Sequence, residues 1–94
     1  RAVVMEFEWD PKKSAANERK HDITFQEAST VFGDRLAMTF ADIDHSKNEE
    51  RYITFGLSKH NRVLVVSHTD RGDKTRIISA RLMDRKERRI YEEG

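Results

Sequence analysis

The chain has 94 residues, which allow one domain with a small core and exclude a protein of two domains. Charged residues make up 37% of it, but 18 Lys and Arg nearly cancel 17 Asp and Glu, and the net charge of +1 excludes a uniformly cationic nucleic-acid-binding protein. The sequence has no cysteine, which excludes disulfides and thiolate metal sites, and no apolar run approaches the roughly 20 residues that a membrane-spanning helix needs.

The N-terminal residues 3–9 alternate between apolar and polar side chains, which predicts a half-buried strand with Met5, Phe7 and Trp9 on its buried side. We expect one domain over residues 1–94, in which Met5 would be the natural start and residues 1–4 an upstream addition. The segment is acidic and short in apolar content, so no signal peptide is expected here.

Two helices are predicted next in the chain. Asp10 precedes Pro11, a pair typical of an N-cap and a first helical position, and this helix would run to about Lys20. Thr24 would cap the second helix in a capping box with Glu27. Apolar residues at helical spacing follow until a glycine ends that helix.

Four strands are predicted over residues 36–40, 50–57, 62–69 and 75–80, and a last helix is predicted over residues 81–92. The short connections between the last three strands indicate an antiparallel meander. The resulting order, β-α-α-β-β-β-β-α, is typical of the α+β class, with an antiparallel sheet and helices packed on one of its sides.

The two halves of the chain differ in charge. Residues 1–48 carry 7 basic and 9 acidic side chains and residues 49–94 carry 11 and 8, so any polyanion-binding site is expected in the second half. The C-terminal basic cluster of that half consists of Arg76, Arg81, Arg85, Lys86, Arg88 and Arg89. On the predicted helix, four of these arginines share one face and would bind phosphates. The alternative is a solvated helix face whose arginines are neutralised by Asp84 and Glu87.

Arg81 lies at the predicted junction of the last strand and the last helix, where free backbone N–H groups favour an anion. The alternative is that Arg81 caps the helix or forms an ion pair with Glu49 or Glu50. The two interpretations differ in whether the guanidinium is free to bind a ligand.

The segment from His45 to Arg51 places an imidazole, an ammonium, two carboxylates and a guanidinium at the start of a predicted strand. Metal-free RNA cleavage needs a base for the 2′-hydroxyl proton, an acid for the leaving 5′-oxygen, and cations that stabilise the phosphorane. His45, Lys47, Glu50 and Arg51, together with Arg81, would supply those groups. The alternative is an exposed loop held by local ion pairs.

Two further patterns contain histidine. The group Asp42, Asp44 and His45 does not match an EF-hand loop, so neither a metal nor another cofactor is expected. His68 lies in the most apolar predicted strand and is interpreted as a hydrogen-bonded, half-buried residue rather than as a catalyst.

Several motifs of the sequence match one family pattern. The most specific are Trp9-Asp10-Pro11 and Arg76-Ile77-Ile78-Ser79-Ala80-Arg81, and Glu49-Glu50-Arg51 and Glu87-Arg88-Arg89-x-Tyr91 also match. With these motifs, the chain from Met5 to Tyr91 resembles the BrnT family of bacterial toxins. Asp22 stands where the family usually has a glycine, which predicts a weaker C-cap for the first helix.

The resemblance implies a cytoplasmic ribonuclease toxin of a type II toxin–antitoxin pair, with a compact RelE-like α+β fold. It also implies metal-independent RNA cleavage that inhibits translation and growth. The expected partner is a cognate BrnA-like antitoxin, which would neutralise the toxin in a hetero-oligomer. Its ribbon-helix-helix part would bind operator DNA, so the toxin itself would reach DNA only through that partner.

The polar positions that match the family pattern are Lys47, Glu50, Arg51, Arg76 and Arg81. Glu50 or His45 would act as the base, and Lys47 would act as the acid or as an electrostatic stabiliser. Arg51 and Arg81 would hold the scissile phosphate. Further RNA phosphates would be bound by Arg76, Arg85 and Arg88.

A small core is expected to leave some apolar residues free for an interface. The predicted contacts with the antitoxin, or with a second copy of the toxin, are Leu82, Met83, Ile90 and Tyr91. The alternative function is a non-catalytic binding module that uses the C-terminal basic cluster to hold a protein or nucleic-acid partner.

Overall fold

The computed structural model describes residues 5–94. Within them the strands are β1 (Glu6–Glu8), β2 (Met38–Ala41), β3 (Arg51–Leu57), β4 (Val63–Arg71) and β5 (Lys74–Leu82). The helices are α1 (Pro11–His21), α2 (Phe25–Ser29) and α3 (Arg85–Glu93), and two 3₁₀ turns lie at Thr30–Gly33 and Ile43–His45. The predicted upstream residues 1–4, which include the predicted beginning of the first strand, lie outside the described residues.

The strands form one sheet in the order β1-β5-β4-β3-β2. Strands β3 to β5 make the predicted antiparallel meander, and β2 extends it. Strand β1 joins parallel to β5 instead, with Phe7 opposite Thr75. The element order β-α-α-β-β-β-β-α confirms the predicted α+β class. The sheet is therefore antiparallel except at one edge, where the first strand of the chain meets the last.

Helices α1 and α2 begin at the predicted caps. The side chain of Asp10 accepts a hydrogen bond from the backbone N–H of Lys12 at 2.8 Å, and Thr24 Oγ1 accepts one from the N–H of Glu27 at 3.0 Å. Asp22 ends α1 in the left-handed conformation, with φ of 57°, which costs an aspartate more than the glycine typical of this position.

The carboxylate of Glu27 takes a different role from the predicted reciprocal cap. It accepts hydrogen bonds from Ser58 Oγ at 2.7 Å and from Arg62 Nε at 2.9 Å, and only 4% of its side chain is exposed. These bonds tie α2 to the turn between β3 and β4. They lower the pKa of Glu27, with the hydrogen bond from Arg62 as the largest cause.

The main core lies between α1, α2 and one face of the sheet. Phe7 and Trp9 pack at its margin, and the Trp9 ring meets Phe25 edge-on at 6.0 Å. Met5 is 46% exposed because it precedes the first paired residue of β1, so its predicted burial is wrong. The buried members are Ile23, Phe25, Ala28, Val31, Leu64, Val66, Ile77 and Ala80.

His68 belongs to this core face and is only 6% exposed. Its Nε2 lies 2.7 Å from Thr54 Oγ1, and its ring meets Phe32 at 4.9 Å and Tyr52 at 5.8 Å. The predicted hydrogen bond is present at this nitrogen, whereas Nδ1 has no hydrogen-bond partner among residues 5–94. Burial is therefore more complete than predicted.

Helix α3 covers part of the opposite face, so the helices do not all lie on one side of the sheet as predicted. Phe55, Val65 and Met83 form a second buried cluster there, against which Tyr91 packs. Since neighbouring residues of a strand point to opposite faces, Val65 lies on the face away from Val66 and the main core.

The predicted start of the last helix at residue 81 is wrong, because β5 continues through Arg81 and Leu82, which pair with Val65 and Leu64. Asp84 is the N-cap instead, in a capping box with Glu87. No helix within residues 5–94 is long and apolar enough to cross a membrane.

Candidate active site on the open face of the sheet

The end of the sheet that α3 leaves uncovered carries small polar residues on two neighbouring strands, β4 and β5. Ser67 of β4 lies between Ile53 of β3 and Ser79 of β5 in the paired register. A cleft of about 240 Å³ opens there, next to the turn between β2 and β3. This candidate active-site cleft is lined by Asp42, His45, Arg51, Ser67, Ile78 and Ser79.

The turn before β3 brings His45 and Arg51 together. The backbone N–H of Asp42 donates to the carbonyl of Arg51 at 2.8 Å, and the N–H of Arg51 donates to Ser46 Oγ at 3.0 Å. The hydroxyl of Ser46 also donates to the Asp42 carbonyl at 2.6 Å. These bonds close the turn on the first residue of the strand, so the imidazole and the guanidinium line one cleft.

His45 is oriented by a carboxylate. Its Nδ1 lies 3.0 Å and 3.1 Å from the two carboxylate oxygens of Asp42, whose side chain is 14% exposed against 68% for His45. An ionised carboxylate only accepts hydrogen bonds, so Nδ1 carries the proton in this pair and Nε2 carries the lone pair. Such an imidazole can accept a proton from a bound ligand.

Arg51 supplies positive charge to the cleft. Its Nε donates to Glu49 Oε2 at 3.1 Å, and one third of its side chain is exposed. Its terminal nitrogens form no ion pair within the described part of the chain. They are therefore available to an anion such as a phosphate, which a guanidinium binds through two parallel hydrogen bonds.

Arg81 does not line the cleft, although it lies on the same sheet face as Ser79, two residues earlier. Its guanidinium forms two hydrogen bonds with Glu87, at 2.7 Å and 2.8 Å, and a third with the Leu82 carbonyl at 3.2 Å. The bonds to Glu87 raise the pKa of Arg81 and lower that of Glu87. The predicted alternative of a pair with Glu49 or Glu50 is wrong, because α3 provides a closer carboxylate.

The C-terminal basic cluster is divided between separate places. Arg76 donates to Glu8 at 3.0 Å and links β5 to β1. Arg85 and Arg88 are exposed on α3, where they line a groove of about 500 Å³ with Arg89 and Glu92. Because Arg81 belongs to β5, the predicted shared helix face does not include it.

Lys47 and Glu50 are exposed and do not line the cleft. The carboxylate of Glu50 accepts a hydrogen bond from the Tyr52 hydroxyl at 3.4 Å. Tyr52 stacks on His68 and so faces the side of β3 opposite Arg51. The structure therefore groups His45, and not Glu50, with Arg51.

The predicted interface residues fall into two groups. Leu82 and Ile90 are 52% and 40% exposed, whereas Met83 is 6% exposed and belongs to the chain's own core. The Tyr91 hydroxyl donates to Asp34 at 2.5 Å and fixes α3 to the segment before β2. Burial and the Asp34 carboxylate raise the pKa of Tyr91 to about 12. Two of the four predicted contacts therefore have structural roles within the chain.

Asp42, Ser67 and Ser79 line the cleft but were not among the predicted site residues. Their signal in the sequence is weak. Asp42 lies three residues before His45, but a carboxylate at that spacing orients a histidine only if a turn brings the two side chains together. Asp42 was considered above only as a metal ligand. Within residues 5–94, no three His, Asp or Glu side chains come together as a metal-binding group.

Comparisons with known proteins agree with this fold. The family model described as "Ribonuclease toxin, BrnT, of type II toxin-antitoxin system" matches residues 9–87. The 1.1 Å crystal structure of the Brucella abortus ribonuclease toxin BrnT is similar, with a TM-score of 0.66 and 21% identity over 87% of this chain and 100% of that one. No curated protein sequence shows significant similarity.

Proposed function

Because the chain belongs to the BrnT family of ribonuclease toxins of type II toxin–antitoxin systems, we propose that it cleaves RNA in the active-site cleft by metal-independent acid–base chemistry. The observation that carries this proposal is the Asp42–His45 pair beside Arg51 in one cleft. A base with a fixed tautomer and a guanidinium with free donors are two of the three groups that this reaction requires, the third being an acid for the leaving oxygen.

In the proposed reaction, His45 Nε2 accepts the proton of a ribose 2′-hydroxyl, and the 2′-oxygen forms a bond to the adjacent phosphorus. Arg51 binds the non-bridging oxygens and stabilises the charge of the phosphorane. The bond from phosphorus to the 5′-oxygen breaks, which yields a 2′,3′-cyclic phosphate and a 5′-hydroxyl. Lys47, exposed two residues after His45, would protonate the leaving oxygen.

Two positions predicted from the family pattern receive secondary roles. Glu50 is the less favoured base, since its carboxylate bonds to Tyr52 rather than facing Arg51. Arg81 would become a second phosphate ligand when a phosphate replaces Glu87 on its guanidinium. The phosphates outside the scissile position remain proposed ligands of Arg76, Arg85 and Arg88.

We further propose that a cognate BrnA-like ribbon-helix-helix antitoxin neutralises the protein in the cytoplasm, and that the free toxin inhibits translation and growth. The hetero-oligomer would bind operator DNA through the antitoxin alone. Support for the protein partner comes from exposed apolar side chains: Leu82, the last residue of β5, is 52% exposed, and Ile90 borders a groove of about 320 Å³ with Phe40 and Phe55.

The test is an RNA-cleavage assay in excess EDTA, in which the purified wild type is expected to be active. His45→Ala and Arg51→Ala are each expected to lose at least about 100-fold in kcat. His60→Ala and Arg35→Ala are matched controls at exposed positions outside the cleft and should retain full activity.

The outcomes separate three functions. Wild-type cleavage that stops in EDTA would show a metal-dependent nuclease. RNA binding without cleavage at any protein concentration would show the non-catalytic binding module. Cleavage that survives both cleft substitutions would remove the reaction from this cleft.

A further inference from the structure

The active-site cleft does not end at β5. A second depression of about 230 Å³ lies beside α1, and Ile78 and Ser79 line both. The second depression is also lined by Lys13, Asn17 and Lys20 of α1. The two therefore border the same two residues of β5. We call the surface route from His45 over these two residues to α1 the path.

The path exists because β5 has an open edge at this point. Strand β1 pairs with β5 only as far as Arg76, so no strand among residues 5–94 covers the edge beyond it. The register of β4 and β5 also shifts here: Ser67 pairs with Ser79 but His68 pairs with Ile77, which leaves Ile78 as an extra residue. A bulge of this kind twists a strand and redirects its side chains.

One buried side chain fixes α1 against this edge. Asn17, 7% exposed, accepts a hydrogen bond from the Ala80 N–H at 3.0 Å and donates one to the Ala80 carbonyl at 2.9 Å. Lys13 and Lys20 are four residues before and three residues after Asn17, so all three share one helix face. The two ammonium groups therefore lie on either side of the point where α1 touches β5.

The sequence predicts any polyanion-binding site in the second half of the chain, but basic residues of α1, in the first half, border the path. Helix α1 holds four Lys and Arg against the single acid Glu18. Lys13 and Lys20 form no ion pair within residues 5–94, whereas Arg76 and Arg81 are engaged by Glu8 and Glu87. The groove on α3 shares no lining residue with the cleft.

We propose that single-stranded RNA runs from the active-site cleft over Ile78 and Ser79 onto α1, where Lys13 and Lys20 bind backbone phosphates next to the scissile one. This inference rests on the proposed ribonuclease function. It adds α1 to the surfaces that are proposed to bind the flanking nucleotides.

The test compares a Lys13→Gln/Lys20→Gln variant with an Arg35→Gln/Lys59→Gln control, which removes the same charge from exposed positions that line neither depression. Binding of a fluorescent 20-nucleotide RNA with 2′-deoxy substitutions, which cannot be cleaved, is measured over a range of salt concentrations. For the α1 variant the slope of log K against log salt should fall by about 1.4, at about 0.7 per single-strand phosphate, and affinity should fall about tenfold. The control should match the wild type.

Cleavage gives the second readout. The α1 variant should cut the natural 20-nucleotide RNA with kcat/KM reduced about tenfold, yet cut a dinucleotide at the wild-type rate, because a dinucleotide does not reach α1. Wild-type binding by the α1 variant, or an equal loss on the dinucleotide, would overturn the inference. If the wild type cuts neither RNA, the proposed function fails, and the binding comparison still decides whether α1 holds RNA.

Discussion

The Nδ1 atom of His45 lies 3.0 Å from a carboxylate oxygen of Asp42, three residues earlier in the same turn. This contact fixes the ring in the cleft and leaves Nε2 as its acceptor atom. Since Asp42 is far less exposed than His45, the carboxylate is placed to orient the imidazole rather than to contact a substrate.

Asp42→Asn is therefore expected to lower kcat for RNA cleavage by about 100-fold, because a misplaced base loses its alignment with the 2′-hydroxyl. KM should stay within about twofold, since no RNA contact is lost. The proton on Nδ1 should become less populated, which ¹⁵N spectra of the His45 ring report. Asp44→Asn, in the same turn, is the control, and an equal loss in both variants would contradict the orienting role.

Glu87 joins two elements: it caps α3 and holds Arg81 on β5. Glu87→Gln is expected to lower the free energy of unfolding by about 1 kcal/mol at pH 7. Hydrogen bonding from Arg81 lowers the pKa of Glu87 below its ordinary 4.5, despite opposing burial, so this contribution is present above pH 4.5 and is lost as the pH falls through the folded value. Urea denaturation at pH 7 and pH 3 measures the difference.

The exposed Glu92 is the matched control, since its contact with Arg88 is 3.8 Å long and worth little. The Arg81→Ala variant tests whether Arg81 of the Arg81–Glu87 pair contributes only to stability or also to RNA cleavage. A variant that melts as the wild type does and still cleaves RNA and inhibits growth fully would remove Arg81 from the site.

His68 is expected to make the fold sensitive to mild acid. Burial lowers the pKa of His68 below its ordinary 6.5, against an opposing effect of Asp70, so the unfolded chain binds more protons than the folded one below that value. Stability should therefore be constant with respect to this group above pH 6.5 and decrease as the pH falls from 6.5 through the folded value. His68→Phe should flatten the change in urea midpoint between pH 7 and pH 5, while His60→Phe should leave it intact.

Local signals in the sequence predicted the local elements. Asp10 and Thr24 cap their helices through bonds that span two or three residues, and the meander follows from short turns. The capping box of Asp84 and Glu87 is equally local and marks the true start of α3. The prediction missed it because the helical spacing of the arginines favoured a start at residue 81.

Relationships between distant residues were beyond sequence reasoning. The spacing of apolar residues is compatible with Arg81 in either a helix or a strand, and only its pairing with Val65 shows that it belongs to β5. The same spacing carries no information on the parallel pairing of β1 with β5. Of the predicted site residues, His45 and Arg51 are six positions apart in the chain and line the same cleft, whereas Ser67 and Ser79 line it only through sheet register.

The parallel edge pair has a consequence for the order of assembly. Glu8 and Arg76, which bond across it, are separated by 68 positions, so β1 stays without its partner strand until Arg76 has left the ribosome. The bulge in β5 and the hydrogen bond between Ala80 and Asn17 likewise form only after β5 has been synthesised. The cleft therefore cannot form on a nascent chain that lacks β5, since Ile78 and Ser79 of that strand line it.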